Sequence, residues 1–231
     1  MRVLKQSSYA YLQEQYTRNK KWGIWCLVAG IAALLGMWNY LSILAIILGA
    51  WLLRRSWRYW RTALNYRAGI LGEQAVADAL RELDDSYCLI EDVMAGSTGG
   101  NIDHVLLSSK SIFVIETKNY SGHIRCYGDR WFKKGRRGTY EIRSVSQQVR
   151  KNADYITDLI RRRVNMYLPV KPICVFTNPW VELKLHNPPV TVLQLAELPR
   201  FITQSPRVAS ISDWQIQKIS RCILGEQGDK L

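Results

Sequence analysis

The sequence has 231 residues, which is enough for one ordinary globular domain and an additional segment. It contains 32 Lys and Arg residues against 19 Asp and Glu residues, and the formal charge of +13 favours an anionic partner, either a phosphate backbone or an anionic lipid surface. The five cysteines are scattered, odd in number and never spaced as CxxC, which argues against a disulfide framework and a zinc site and favours a reducing compartment.

The first predicted feature is a membrane segment that follows a basic N-terminal stretch, residues 1–21. Residues 22–53 contain no charged side chain and are too long for the core of a signal peptide, so we expect them to be embedded in a lipid bilayer and retained. As one helix they would measure roughly 48 Å, against a hydrocarbon core of about 30 Å. The pattern therefore predicts a helical hairpin that turns near Asn39, with a single tilted span as the alternative.

Cationic residues flank this segment on both sides. Lys20 and Lys21 precede it, and an arginine-rich collar, residues 54–65, follows it. The collar interleaves arginines with aromatic residues, a pattern that also suits nucleic acid, but its position favours lipid headgroups. The positive-inside rule places both ends of the segment in the cytoplasm. We therefore expect an integral protein of the bacterial inner membrane with a cytoplasmic C-terminal domain.

The predicted globular domain covers residues 66–224 and begins with a helix over Tyr66–Leu83. Glu73 lies near the start of this helical pattern, where the helix dipole also favours a carboxylate. A strand over Tyr87–Val93 and a glycine-rich turn over residues 95–100 follow. The turn lacks a Walker lysine and does not lead into a helix, so it does not indicate a phosphate loop.

The stretch NIDHVLLSSKSIFVIETKNYSG, residues 101–122, carries most of the chemical information. It predicts two short apolar strands joined at Ser108–Ser111, and antiparallel pairing would bring Asp103 beside Glu116 and Lys118. Two carboxylates at such a short distance repel each other unless a cation lies between them. The pattern therefore indicates an oxygen-ligand site for a hard divalent ion such as Mg²⁺. The alternative is a solvated ion pair between Glu116 and Lys118 at a strand end.

After residue 122 the sequence predicts a basic hairpin. Two strands, His123–Tyr127 and Tyr140–Arg143, enclose a basic loop with aromatic residues, which would help to hold a nucleic-acid backbone beside a phosphate-directed site. A solvated hairpin tip is the alternative. The cations of this loop that we expect to bind substrate are Arg130, Lys133, Lys134, Arg136 and Arg137.

The C-terminal part is predicted to be mixed helix and strand. A helix over Ser146–Arg163 carries Gln147 in its first turn. Ser212 and Gln215 form the pattern of a capping box, which predicts the start of a terminal helix. The remaining predicted elements are strands over Pro172–Phe176 and Val190–Leu193, a loop over Asn178–Pro189, a helix end near Leu224 and a polar tail over residues 225–231.

The order of these motifs resembles the nuclease-related domain known as NERD: GE on the first helix, then IDHVLL, FVIETKNYSGHI and a helix with glutamine, over roughly residues 68–176. That family is assigned to the PD-(D/E)XK nuclease superfamily. The resemblance implies an α/β fold with a restriction-endonuclease-like mixed sheet flanked by helices, here preceded by the N-terminal transmembrane helical segment. The residues it implies as catalytic are Asp103, Glu116, Lys118, Glu73 and Gln147, with Asp103, Glu116 and the carbonyl of Thr117 as metal ligands.

The resemblance also implies a membrane-anchored nuclease that uses Mg²⁺, or alternatively Mn²⁺, to hydrolyse phosphodiester bonds. DNA is the expected substrate ahead of RNA, and a lipid bilayer is the second expected partner through residues 22–53. Two alternatives stay open. In the first, the chain is a catalytically inactive, membrane-tethered nucleic-acid-binding or scaffold protein with a nuclease-like fold. In the second, it is a membrane protein whose cytoplasmic domain contacts lipid headgroups or protein partners.

Overall fold

The computed structural model describes residues 1–7, 9–35, 42–95 and 100–225. The chain forms two compact units. The helical unit is Tyr9–Leu71, and the α/β unit consists of Met1–Ser8 together with Gly72–Leu231.

The helical unit contains helix α1, Ala10–Leu35, and the first part of helix α2, Ser42–Arg81, which continues into the α/β unit. Residues 54–65, predicted as a collar beside the membrane, lie inside the continuous α2 helix. The turn predicted near Asn39 falls in residues 36–41, which lie outside the described residues.

Close glycine contacts hold the two helices of this unit in antiparallel order. The Ser56 hydroxyl donates a hydrogen bond to the carbonyl oxygen of Gly23 over 2.8 Å. A Cβ atom added at Gly30 would lie 3.3 Å from the carbonyl oxygen of Gly49. Small residues at these positions allow the backbones to approach closely.

The prediction of a membrane-embedded segment was wrong. Within the described ranges, no helix has both the length and the apolar character needed to cross a bilayer. The uncharged run is divided between two helices, with 14 residues of α1 from Trp22 to Leu35 and 12 residues of α2 from Ser42 to Leu53. A spanning helix needs about 20 apolar residues in succession. The predicted transmembrane segment and the integral membrane localisation are therefore both corrected, and bilayer contact through residues 22–53 is not supported.

The α/β unit is built from two sheets and the helices that pack on them. The strands among the described residues are β1 (Arg2–Lys5), β2 (Cys88–Met94), β3 (Asn101–Leu107), β4 (Ile112–Lys118), β5 (Gly122–Tyr127), β6 (Arg130–Gly135), β7 (Gly138–Ile142), β8 (Val170–Phe176), β9 (Val181–His186) and β10 (Thr191–Gln194). The helices of this unit after α2 are α3 (Val145–Val164), α4 (Leu198–Gln204), which a 3-10 turn (Leu195–Glu197) precedes, and α5 (Asp213–Leu224).

The main sheet has the strand order β1-β2-β3-β4-β8-β10. Strands β2, β3 and β4 are antiparallel neighbours, whereas β1 pairs with β2, β4 with β8, and β8 with β10 in parallel. The mixed α/β part of the fold prediction is consistent with this architecture. Strand β1 was not predicted, and the Met1 amino group fixes its start by donating to the carbonyl oxygen of Leu83 over 2.9 Å.

The predicted hairpin in residues 101–118 is present as β3 and β4. Its register runs from Leu107 opposite Ile112 to His104 opposite Ile115. The Ser108 hydroxyl closes the turn by donating to the carbonyl oxygen of Ser111 over 2.8 Å. This short turn fixes the register of the two strands.

Both faces of the main sheet are covered, which explains the apolar runs in β3 and β4. Side chains alternate between the faces along each strand. One face packs on α3 and α5 in a core that includes Val105, Val114, Val149 and Ile216. The other face packs on the last part of α2 and on α4, in a core that includes Leu106, Phe113, Leu80 and Ile202.

The second sheet has the strand order β7-β6-β5-β9. The region predicted as a basic loop is largely strand β6, which pairs antiparallel with β5 and β7. The C-terminal loop predicted over Asn178–Pro189 contains strand β9, which pairs in parallel with β5. Trp131 is fully buried and stacks on Phe176 at the end of β8, so the two sheets share a core cluster.

The helix predictions in the C-terminal half agree closely with the structure. Helix α3 begins after Ser144, whose side chain accepts a hydrogen bond from the N–H of Gln147. Helix α5 begins with the predicted capping box of Ser212 and Gln215. The polar tail lies almost entirely outside the described residues, as do residues 96–99 of the predicted glycine-rich turn.

Candidate active site

The candidate site lies where β3 begins and β4 ends. The pairing of β3 with β4 ends at His104 opposite Ile115, and Asp103 and Glu116 are the residues directly beyond that pair on the two strands. The N–H group of Thr117 donates to Oδ2 of Asp103 over 2.7 Å. The structure therefore brings together the carboxylates that the hairpin pattern predicts.

Glu116 is almost completely buried, and polar side chains surround its carboxylate. Lys118 forms an ion pair with Oε1. From helix α3, Nε2 of Gln148 donates to the same oxygen over 2.6 Å and Nδ2 of Asn152 donates to Oε2 over 3.2 Å. A buried carboxylate needs such partners because its desolvation is costly. These three donors fix the orientation of the Glu116 side chain.

Lys118 is largely buried beside these carboxylates. Burial alone would lower its pKa, but the charges of Glu116 and Asp103 outweigh that effect and raise the pKa of Lys118 above its ordinary value. Its Nζ also contacts Oε1 of Gln148 at 3.4 Å. The site therefore keeps a fixed positive charge next to its carboxylates.

Two carboxyl groups of the site hold protons more tightly than usual. Burial raises the pKa of Asp103 well above its ordinary range, and the charges of Glu116 and Glu73 raise it further. Burial, followed by the charges of Asp92 and Glu116, raises the pKa of Glu73 to about 7. Burial is the main cause of both shifts and the neighbouring carboxylates add to it, so a bound cation would favour the charged forms of these groups.

Glu73 reaches the site because its helix lies very close to the main sheet. A Cβ atom added at the preceding residue, Gly72, would lie 2.9 Å from Oγ1 of Thr177 and 3.1 Å from Cβ of Asn119. Asn119 directly follows the end of strand β4, and Thr177 directly follows the end of strand β8. Only glycine allows this approach without displacing its neighbours.

The donor chemistry fits a magnesium ion. In the described part of the chain, no group of three or more His, Cys, Asp and Glu side chains forms a ready metal cage. Mg²⁺ does not need one, because it typically takes one or two carboxylates and completes its coordination with water and substrate phosphate oxygens. Asp103 and Glu116 supply hard oxygen atoms of that kind.

The structure separates two neighbouring glutamines on α3. Gln147, which the resemblance implies as catalytic, is exposed, whereas Gln148 contacts both Glu116 and Lys118. The signal for Gln148 is its helical spacing: Gln148 and Asn152 are four residues apart and flank the buried stripe of Val145 and Val149. Sequence reasoning missed both Gln148 and Asn152.

The five predicted substrate-binding cations differ in their exposure and in the groups that they contact. Lys133 lies with its Nζ 5.2 Å from the ring centre of Tyr120, and Tyr120 in turn interacts electrostatically with Lys118. Arg130 forms two hydrogen bonds with Glu141. Only Lys133 of the set is partly buried, whereas Arg130 and Lys134 on β6 and, in the turn after it, Arg136 and Arg137 are exposed.

His104, the residue after Asp103, is buried and does not belong to the candidate site. His104 is buried on the opposite side of β3 from Asp103, as the strand alternation predicts. Burial lowers its pKa to about 4. Nδ1 of His123 instead lies 2.7 Å from Oε2 of Glu182 on the second sheet.

Comparison with known proteins agrees with this geometry. The family model of the nuclease-related domain, NERD, matches residues 68–177, a range that contains all the site residues from Glu73 to Asn152. An uncharacterized protein of Bacillus anthracis, pXO1-01, is 29% identical over 164 residues, which cover 68% of this chain and 75% of that protein. No solved structure shows significant similarity to the chain. Residues 68–177 thus match the model of the nuclease-related domain, NERD, a family that belongs to the PD-(D/E)XK-like nuclease superfamily.

Proposed function

We propose that this chain is a metal-dependent nuclease that hydrolyses phosphodiester bonds at the site formed by Asp103, Glu116 and Lys118. The observation that carries the proposal is the position of Asp103 beside Glu116, with Lys118 ion-paired to Glu116. A protein that only binds nucleic acid has no physical need for clustered carboxylates next to its substrate, because they repel phosphate.

Asp103 and Glu116 would hold the metal ion, with the Thr117 carbonyl as a further oxygen ligand. A bound Mg²⁺ or Mn²⁺ supplies Lewis-acid chemistry, in that it polarises the phosphate and lowers the pKa of a water molecule. Gln148 and Asn152 keep Glu116 aimed at this position. Hydrogen bonds that orient a metal-coordinating side chain commonly determine how tightly it binds the metal.

Lys118 acts on the phosphate or on the attacking water. Its ammonium group remains protonated, so it donates hydrogen bonds to the non-bridging oxygens where negative charge develops in the transition state. In the reaction the water oxygen bonds to phosphorus and gives up a proton, the bond from phosphorus to the leaving sugar oxygen breaks, and the leaving oxygen takes up a proton. Glu73, whose pKa is about 7, is a residue of the site that can hold or release a proton near neutral pH.

The charge of the chain supports nucleic acid as the substrate. The formal charge of +13 favours an anionic polymer, and Lys133 on β6 lies over the ring of Tyr120, two residues after Lys118. The exposed cations of the β6–β7 hairpin, Arg136 and Arg137, would add contacts to the phosphate backbone that do not depend on base sequence. The superfamily makes DNA the first substrate to test and RNA the second.

One observation favours a second candidate function, nucleic-acid binding without cleavage. Glu116 already accepts hydrogen bonds at both of its oxygens, from Lys118 and Gln148 at Oε1 and from Asn152 at Oε2. A metal ion at Glu116 therefore competes with existing partners. In this alternative the carboxylate serves to position Lys118, and Lys118 binds phosphate.

A cleavage assay on the full chain separates the two functions. The substrates are labelled single-stranded and double-stranded DNA and RNA, each with Mg²⁺ and with EDTA. The nuclease proposal expects Mg²⁺-dependent products that Asp103→Asn reduces by at least about 100-fold. Asp158→Asn is the matched control, because Asp158 lies half-exposed on α3 and pairs with Arg161. Absence of products on every substrate, or equal products from both variants, would contradict the proposal.

A further inference from the structure

Two chain segments leave the candidate site side by side. The N–H of Thr177 donates to the carbonyl oxygen of Lys118 over 3.1 Å, and the N–H of Gly122 donates to the carbonyl oxygen of Trp180 over 3.0 Å. These bonds tie the linker after β4, residues 119–121, to the linker after β8, residues 177–180. Trp180 therefore lies on a linker that is anchored to the backbone of Lys118.

Trp180 is unusually exposed for a residue at this position. Its relative exposure is 80%, the largest among the exposed large hydrophobic residues of the described chain. Its indole belongs to none of the three core clusters, and in the part of the chain that the structure describes it forms no ring contact. An exposed indole beside a candidate active site, unlike a scattered surface apolar residue, lies where a ligand is expected.

The backbone around Trp180 is fixed rather than loose. The side-chain Oδ1 of Asn178 accepts a hydrogen bond from the N–H of Trp180 over 3.0 Å, and the carbonyl oxygen of Asn178 accepts one from the N–H of Val181 over 3.2 Å. Strand β9 begins immediately after the tryptophan. The ring is thus presented from a turn of defined geometry, which lowers the entropic cost of binding a ligand.

The neighbouring linker supplies a second aromatic residue with a cation. Tyr120 packs edge to face on Phe176, with ring centres 6.3 Å apart. The Nζ atom of Lys133 lies 5.2 Å from the centre of the Tyr120 ring. An aromatic ring beside a cation is the combination that holds a base and its phosphate in single-stranded nucleic acid.

We propose that Trp180, Tyr120 and Lys133 form a base-binding subsite for single-stranded nucleic acid, with the two aromatic residues on the linkers that border Lys118 and the lysine on β6. This inference rests on the proposed function and narrows its substrate class. The exposed indole of Trp180 stacks on the face of an unpaired base, and Lys133 binds an adjacent phosphate. Bases inside a duplex are already stacked on each other, so the subsite selects single strands or unpaired ends.

Binding of the full chain in EDTA tests the subsite without cleavage. Fluorescence anisotropy is measured with labelled oligo-dT and with a labelled duplex, at one fixed salt concentration because phosphate contacts depend on salt. We expect Trp180→Ala to weaken oligo-dT binding by about tenfold or more and duplex binding by less than about twofold. Trp180→Phe should retain most of the affinity, since phenylalanine still offers a ring face.

Trp214→Ala is the matched control. Trp214 is also an exposed tryptophan, at 64%, but it lies on α5 next to Lys218. We expect this variant to bind oligo-dT like the original chain. The inference is overturned if Trp180→Ala binds oligo-dT as tightly as the original chain, if it loses oligo-dT and duplex affinity equally, or if Trp214→Ala loses as much. It is also overturned if the original chain does not bind oligo-dT at all.

The outcome is separable from that of the nuclease proposal. The cleavage assay depends on Asp103 and Mg²⁺, whereas the anisotropy assay needs neither. A selective loss of oligo-dT binding in Trp180→Ala, with no cleavage by the original chain, supports the subsite and contradicts the nuclease. Cleavage that depends on Asp103, with unchanged oligo-dT binding in Trp180→Ala, supports the nuclease and overturns the subsite.

Discussion

The side-chain amide of Gln148 donates to Oε1 of Glu116 over 2.6 Å, and the same residue contacts Nζ of Lys118 through its Oε1 atom at 3.4 Å. One glutamine therefore links the acidic and the basic member of the candidate site. Because it lies on α3, it also connects the site to the core under that helix.

The first prediction concerns the two adjacent glutamines of α3. Gln148→Ala removes a donor from buried Glu116 and frees the carboxylate to rotate, so we expect cleavage to fall by about 10- to 100-fold, the range typical of groups that orient a metal ligand. Gln147→Ala is the control, since that side chain is exposed. Rates of cleavage at saturating Mg²⁺ provide the measurement. A larger loss in Gln147→Ala than in Gln148→Ala would reverse the assignment.

The second prediction concerns metal binding. A ligand that binds only the folded state adds about 2.7 kcal/mol to the free energy of unfolding at 100 times its dissociation constant. We therefore expect added Mg²⁺ to raise the Tm of the chain by several degrees, and EDTA to remove the increase. Asp103→Asn should show no increase, whereas the control Asp158→Asn should behave like the original chain. No shift in the original chain would favour the alternative function, binding without a metal.

The third prediction concerns the pH dependence of stability. The pKa of Glu73 is about 7 in the folded protein, above its ordinary value of 4.5. Between those values the folded state holds a proton that the unfolded state has lost, so this group makes the protein less stable as the pH rises. The Glu73→Gln variant has no ionisable group at this position, so it should not lose this part of the free energy of unfolding as the pH rises.

Thermal unfolding in EDTA of the original chain and of Glu73→Gln checks this third prediction. We expect the two Tm values to be close at about pH 5 and the variant to be higher by a few degrees at about pH 8. His104 acts in the opposite direction, because burial lowers its pKa from the ordinary 6.5 to about 4. Between those values the unfolded state binds a proton that the folded state does not, so this group makes the protein less stable as the pH falls. His104 is present in both proteins, so its effect cancels in the difference. A constant Tm difference at all pH values would contradict the prediction.

The fourth prediction concerns the close approach of α2 to the main sheet. Gly72→Ala places a methyl group 2.9 Å from Oγ1 of Thr177 and should cost about 1–3 kcal/mol of stability, as overpacking does. In the same helix, a Cβ added at Gly69 would meet no atom within 4 Å. Gly69→Ala should therefore stabilise the chain by about 0.5–1 kcal/mol through helix propensity. Chemical denaturation of both variants measures the two effects, and equal effects would show that the contact at Gly72 is unimportant.

The β3–β4 hairpin was predictable because its information is local. The apolar runs on either side of Ser108–Ser111 define two strands, and a short turn leaves only one register that pairs them fully. The predictions of α3 and α5 succeeded for the same reason, since the apolar spacing of both helices and the capping box of Ser212 and Gln215 are local patterns. The helix predicted from Tyr66 instead begins at Ser42.

The elements that sequence reasoning missed lack such local patterns. The four residues of β1 are mostly exposed, and the strand exists only because β2 offers a parallel edge and Met1 is anchored at Leu83. Strand β9 likewise depends on its partner β5. The membrane prediction failed because the uncharged run supplies only the last part of α1 and the first part of α2, and among the described residues neither helix is apolar over the length that a bilayer requires.

The sequence by itself determined the α/β character of residues 72–225, the hairpin that brings Asp103 to Glu116, and the excess of positive charge. Tertiary structure alone decided which glutamine contacts Glu116, because the rotation of α3 depends on how its apolar stripe packs on the sheet. It also decided that Trp180 lies on a linker tied to Lys118. That neighbourhood arises from the parallel pairing of β4 with β8, and long-range pairing of this kind depends on packing between distant segments rather than on patterns within either one.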